Sequence, residues 1–268
     1  MKAARKKIEI EICVRCYAGL NDFLPAPWRS RRFCLKLKTP VVVSEAMMVL
    51  GIPRAEIELI LVNSHRADEG HKLKEGDFVS VYPTFETIDI SPLTGRRDKP
   101  EPEMRFIADA HLGKLSKYLR MLGFDTLYRN DFGDDEIIHI ALNEERIILT
   151  RDRMLLNSTR VRRGYYLRAT DKHALLTEVV ARFGLKSLFK PFSRCMTCNQ
   201  PLVLKASAEL TALVDAPTLA RFDEFYYCAN CRKVFWKGSH FKRMEALILQ
   251  IASGPQNRRG WRGTSACD

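Results

Sequence analysis

The chain has 268 residues, a formal net charge of +12 at pH 7, and 46% hydrophobic and 9% aromatic residues. That is enough for one large or two modest domains, at about 150 residues each, with a sizeable core. No apolar run approaches the roughly 18 residues a membrane helix needs, and the opening "MKAARKKIEIEICV" alternates glutamate with isoleucine where a signal peptide would carry an apolar block. A soluble, cytoplasmic protein with no membrane partner is expected.

"KIEIEICV" and "FCLKLK" each alternate with period two and predict two strands, joined by a loop around Pro25 and Pro27. "SEAMMVLGI" predicts a short helix with Ser44 as N-cap and Gly51 as its stop. "IELILVN" and "GDFVSVYP" predict further strands. Strand, strand, helix, strand, strand is the order of an α+β β-grasp domain, assigned to residues 1–90. Its last strands resemble the end of a ubiquitin-like or sulfur-carrier domain. Carriers of that kind need a free diglycine end, and here the chain runs on through "ETIDISPLTGRR", which speaks against thiocarboxylate chemistry. Cys13 and Cys16 form a CxxC; a metal or redox pair is one reading, two positions of a half-buried strand the plainer one.

Residues 91–103, "SPLTGRRDKPEPE", combine proline, glycine and charge without periodicity and read as a linker. From 104 to 190, short apolar runs alternate with helical patterns: "MRFIAD", "LGKLSKYLRML", "DTLY", "DDEIIHIALNEE", "RIILT", "GYYLR", "DKHALLTEVVARF". This alternation predicts an α/β domain with a parallel sheet. Right-handed crossovers put the carboxyl ends of such strands on one edge, where ligands bind. Asp109 in "RFIADAH" and Asp152 in "RIILTRD" both lie just past strands and are expected at that edge.

Clustered carboxylates repel one another and resist desolvation, so a convergent set needs a cation, and hard oxygen donors suit magnesium or manganese. The candidates are Asp109, Asp152, one of Asp134, Asp135 and Glu136, and Asp171. Each has a structural alternative: Asp109, Asp134 and Asp171 precede helices and could cap them, and Asp135 and Glu136 suit a helix's positive end. In the helix after Asp109, Leu112, Leu115, Leu119 and Leu122 form an apolar stripe, while Lys114, Lys117 and Arg120 recur every three residues elsewhere. That basic row, with Arg151, could hold substrate phosphates, or be a solvated face.

Residues 191–250 contain "CMTC" and "CANC", whose Cys195, Cys198, Cys228 and Cys231 supply four thiolates for a structural zinc ribbon. His240 could be a spare ligand. The aromatic and basic residues around the second pair, from Phe225 to Lys237, could stack bases and contact phosphates, or fill the ribbon's small core. The polar stretch 251–268 reads as a disordered tail. Residues 173–268 carry 14 basic against 7 acidic residues, compared with 14 against 12 in 1–90 and 16 against 13 in 91–172. A basic excess of this kind attracts polyanions.

"FIADAHLGKLSKYLRMLGFDT", "DDEIIHIALNEERIILTRDRMLL", "SRCMTCNQPL" and "FYYCANCRKVFWKGSHFKRM" resemble, in order and over roughly residues 104 to 245, the Mut-seven carboxy-terminal ribonuclease domain, a branch of the PIN nuclease superfamily. Proteins of this family often carry a ubiquitin-like domain in front. The resemblance implies a metal-dependent ribonuclease with RNA as its partner and a PIN-like fold. Asp109 and Asp152 match the strand-end acids, Asp135 is the first choice for the helix-start acid, and Asp171 matches a fourth. It further implies in-line hydrolysis at one or two magnesium or manganese ions, about 3.5–4 Å apart if two, and a protein partner for the β-grasp domain. The competing class is a non-catalytic RNA-binding or adaptor protein whose acids only cap helices.

Overall fold

The computed structural model describes residues 9–83 and 104–253. The linker expected at 91–103, the tail beyond 253 and the side chain of His240 lie outside the described residues. No helix among them is long and apolar enough to cross a membrane. The chain forms two compact units: one joins the residues before the linker to Gly133–Tyr166, the other joins Met104–Phe132 to the residues from Leu167 onward.

In the first unit, strand β1 (Glu9–Cys16) buries alternate residues, Ile10, Ile12, Val14 and Cys16, as its period-two sequence requires. It pairs antiparallel with β2 (Phe33–Lys38) and parallel with β5 (Phe78–Pro83). Strand β3 (Ile57–Val62) runs antiparallel to β5, and the two-residue β4 (His65–Arg66) completes the order β2-β1-β5-β3-β4. Helix α1 (Val43–Val49) contributes Val43, Ala46 and Met47 to the same core. Each valine, isoleucine or methionine side chain so buried contributes about 1.5–3 kcal/mol. This is the expected β-grasp, ubiquitin-like fold.

The start of α1 differs from expectation. Val42 holds the N-cap position, and Glu45 Oε2 accepts its N–H at 3.0 Å, so Ser44 falls inside the first turn. Gly51 ends the helix as expected, with a φ of +69° that a side chain would resist.

The same unit contains α3 (Asp134–Asn143), β8 (Ile147–Thr150), α4 (Arg153–Asn157) and β9 (Gly164–Tyr166). All four residues of β8 are buried, the continuous apolar run of a parallel strand, and β9 pairs parallel with it. The β-grasp domain closes over this segment. Tyr166 packs on its core and donates its N–H to Glu56 Oε1 at 2.6 Å, where Glu56 is only 3% exposed. The Arg153 guanidinium lies over the rings of Phe23 and Tyr166, at 5.3 and 5.1 Å.

In the second unit, β6 (Arg105–Ala108) and β7 (Asp125–Leu127) pair in parallel, connected by helix α2 (Gly113–Met121). Leu115, Leu119 and Leu122 are buried, as the predicted stripe requires. Helix α5 (Lys172–Arg182) buries Leu175, Leu176, Val179 and Val180. Each unit thus contains a parallel strand pair with its helices, the pattern expected of an α/β domain. An antiparallel ribbon follows, order β10-β11-β12, from Val203–Lys205, Phe225–Tyr227 and Val234–Trp236. The excursion between β10 and β11 carries the short helix α6 (Ala216–Arg221) and fills a small core around Leu210, Val214 and Phe225. Helix α7 (Ser239–Ser253) comes after the ribbon.

Candidate active site and metal centre

The two CxxC motifs fold alike. Asn199 N–H donates to Cys195 O, and Arg232 N–H to Cys228 O, each at 2.9 Å. Asn199 and Arg232, one residue past each second cysteine, both take positive φ, +70° and +55°. The turns bring four Sγ atoms within 4.8 Å of one another, the only such set of three or more His, Cys, Asp or Glu ligand atoms among the described residues. Cross-pair distances are 3.5 Å for Cys195–Cys231 and 3.3 Å for Cys198–Cys228. Zinc–sulfur bonds of about 2.3 Å in a tetrahedron set sulfurs a little under 4 Å apart, so the cluster can hold an ion such as zinc. Burial, reinforced by neighbouring thiols, pushes Cys231 up to about 12. Burial likewise acts against ionisation of Cys198, but the Gln200 N–H and the Cys228 thiol outweigh it and bring Cys198 down to about 6. Thiolates gathered this closely repel one another, and a bound cation offsets that repulsion.

The cysteine cluster is tied to the sheet. Arg120, read from the sequence as part of a phosphate-binding row, is 4% exposed; its Nε donates to Thr126 O at 2.9 Å and its Nη1 to Met196 O and Thr197 O at 3.2 and 2.9 Å. Three residues fall about 60° short of a full helical turn, so the row from Lys114 drifts round α2 and reaches the interior at Arg120. Burial pulls the Arg120 guanidinium below its usual pKa, while the thiols of Cys195 and Cys198 and the Asp125 carboxylate pull the other way. Asn199 is also buried: Oδ1 accepts the Thr126 N–H at 3.0 Å and Nδ2 donates to Asp125 Oδ1 at 2.7 Å. Arg120 and Asn199 therefore join β7 to the first cysteine turn.

In the first unit, Asp152 follows β8 and caps α4, its Oδ1 accepting the Met154 N–H at 2.7 Å. Asp135 stands in the first turn of α3, whose N-cap is Gly133 and not Asp134; its side chain is 91% exposed and Oδ1 accepts from Arg160 at 2.7 Å. Arg151 is exposed. In the second unit, Asp109 follows β6 and caps the turn Ala110–Leu112, accepting the Ala110 N–H at 2.6 Å. Asp171 caps α5, and the N–H groups of Ala174 and His173 hold its carboxyl below the usual carboxylate range.

Beside the Asp109 turn lies an open cleft of about 760 Å³. Lys114, Lys117 and Lys172 line it together with His111, Tyr128 and Asp171. Tyr128 Oη donates to Ala110 O at 2.9 Å, and a Cβ added at Gly113 would come 2.7 Å from that hydroxyl, so the glycine admits the tyrosine. Three ammonium groups and an imidazole beside a carboxylate can hold an anionic, phosphate-bearing ligand next to an oxygen donor. Of the sequence candidates, Asp171, Lys114 and Lys117 meet here. Lys172, His111 and Tyr128 join them without a motif to announce them; Lys172 and His111 adjoin residues already in view, whereas Tyr128 arrives only through folding.

A family model, the Mut7-C RNAse domain, matches residues 104–248. The chain belongs to the Mut7-C RNase domain family. A second model, the Mut7-C ubiquitin domain, matches residues 9–89 and so covers the β-grasp strands. No curated protein matches the chain. The Mut7-C region starts at β6 and ends within α7, so the strand-end acids, the lysine cleft and the four cysteines all fall inside it.

Proposed function

We propose that this Mut7-C protein is a metal-dependent ribonuclease hydrolysing RNA phosphodiester bonds, with Asp109, Asp135, Asp152 and Asp171 as the acids of its active site. The observation that carries the reading is the cleft that sets Asp171 among Lys114, Lys117, Lys172 and His111. The lysines draw in the phosphodiester and fix its position. Asp109, Asp152 and Asp171 are each fixed in direction by the N–H groups they cap, and each offers exposed or half-exposed oxygens of the hard kind that magnesium or manganese takes. Such an ion, when bound, activates water and stabilises the leaving oxygen. The cysteine cluster holds zinc in a structural role, since four protein ligands leave no open position for chemistry. The β-grasp domain offers a surface for a protein partner.

The capping bonds also favour a second reading, an RNA-binding protein without catalysis. Asp152→Asn separates the two, because asparagine caps a helix as well as aspartate does while losing the charge. The variant is expected to melt like the parent and to bind RNA, and to lose at least about 100-fold in manganese- or magnesium-dependent cleavage, the order seen when a group stabilising transition-state charge is removed. Cleavage at the parental rate, after controls for contaminating nuclease, would refute the assignment of Asp152.

A further inference from the structure

A second cavity, of about 550 Å³, lies in the same unit, where α2 and α5 meet the cysteine ribbon and α7. Its walls differ from those of the lysine cleft. Tyr118 from α2, Phe235 from β12, Met196 from the first cysteine turn and Met244 from α7 give it an apolar, partly aromatic lining. Tyr118 is held by His173, with the ring centroids 5.6 Å apart at 63° and the Tyr118 hydroxyl 3.3 Å from His173 Nε2. The rim is cationic: Lys114, Lys117, Lys172 and Arg243. The three lysines line both cavities and so form a ridge between them.

We propose that this second cavity is a nucleobase subsite, which takes one unpaired nucleotide of an RNA strand whose backbone crosses the lysine ridge into the cleft containing Asp171. The inference rests on the ribonuclease reading for the direction of the strand, and on the cavity itself for the base. An aromatic and thioether lining offers a base stacking and dispersion contacts whatever its sequence. A rim of four cations and no carboxylate selects a polyanion over an apolar peptide. The volume lies within the roughly 300–1,000 Å³ of small-ligand sites. The subsite gives the cysteine ribbon a direct part in binding: Met196 and Phe235 reach the base because the ribbon is fixed to β7.

The test uses the full-length protein and a fluorescent single-stranded RNA, read by anisotropy, with 4-thiouridine crosslinking as a readout that does not depend on cleavage. Crosslinks are expected at Tyr118, Met196, Phe235 or Met244. Tyr118→Ala is expected to weaken binding roughly 5- to 150-fold, as stacking of about 1–3 kcal/mol per base implies, while Tyr118→Phe keeps most of the affinity. Phe235→Ala should act in the same direction, and an oligonucleotide abasic at the crosslinked position should bind the parent as weakly as Tyr118→Ala binds the intact strand. Lys114→Ala combined with Lys117→Ala should weaken both strands alike. Parental affinity in folded Tyr118→Ala and Phe235→Ala, or equal binding of abasic and intact strands, overturns the subsite even if RNA is cleaved. Base-dependent binding by a protein that cleaves nothing supports the subsite and overturns the ribonuclease reading. Capture of an apolar peptide with no effect of RNA would assign the cavity to a protein partner and refute the proposal.

Discussion

Cys13 and Cys16 illustrate what three positions mean in a strand. Side chains alternate, so the two thiols point to opposite faces: Cys16 is 2% exposed in the β-grasp core, while Cys13 faces outward. The partner of Cys13 is Cys34, directly opposite on β2, with the sulfurs 2.6 Å apart. The hydrogen bond from the Cys34 thiol, helped by Arg32, lowers the Cys13 pKa, whereas burial pushes Cys16 up to about 12. Mild oxidation with diamide, which takes up the two electrons and two protons released, should therefore link Cys13 to Cys34 and leave Cys16 as a thiol. Peptide mapping by mass spectrometry checks this; a Cys13–Cys16 bridge would contradict the register. Spacing alone displayed the wrong pair, because the true partner depends on how two strands align. Asp109, Asp152 and Asp171 show the reverse case, being visible to the sequence as strand-end or helix-start acids and found in those places.

At the scale of elements, much was legible locally. The alternation of β1, the buried run of β8 and the leucine stripe of α2 are each recorded in consecutive residues. Helix α4 is short and follows its capping acid too closely for periodicity to reveal it. Helix α7 carries apolar residues at Phe241, Met244, Ile248 and Ile251, a helical spacing overshadowed by the cysteine motif before it. Contacts between distant elements had no signal: nothing in "PRAEIE" tells that Glu56 will meet the backbone of β9. Replacing Glu56 by alanine leaves the half-buried Tyr166 N–H without that acceptor, at a cost of about 1 kcal/mol or somewhat more. A lowered midpoint in urea, with faster amide exchange at Tyr166, is the expected result. An unchanged midpoint would mean that water or another group takes over the bond.

At the scale of the molecule, Arg120 and Asn199 make the cysteine cluster part of the RNase domain and not an appendage. Removing a metal held by the four cysteines with a strong chelator should accordingly expose more than the ribbon. The Thr126 amide of β7, which donates to Asn199, is expected to lose its protection from hydrogen exchange in step with metal release. The Ile12 and Val14 amides in the β-grasp sheet should keep theirs. Retention of Thr126 protection in the metal-free protein would show that the turn holds its shape unaided. Arg120 was misread from the sequence because its charge suggests solvent, and only its place on the helix circumference shows otherwise.

Strand β7 pairs with β6, and β9 with β8, and in each an N–H is engaged by a side chain, Asn199 for Thr126 and Glu56 for Tyr166. An amide occupied in this way is not available to a strand added at that flank. Residues from before and after the parallel strands thus withdraw these two amides from pairing with any further strand.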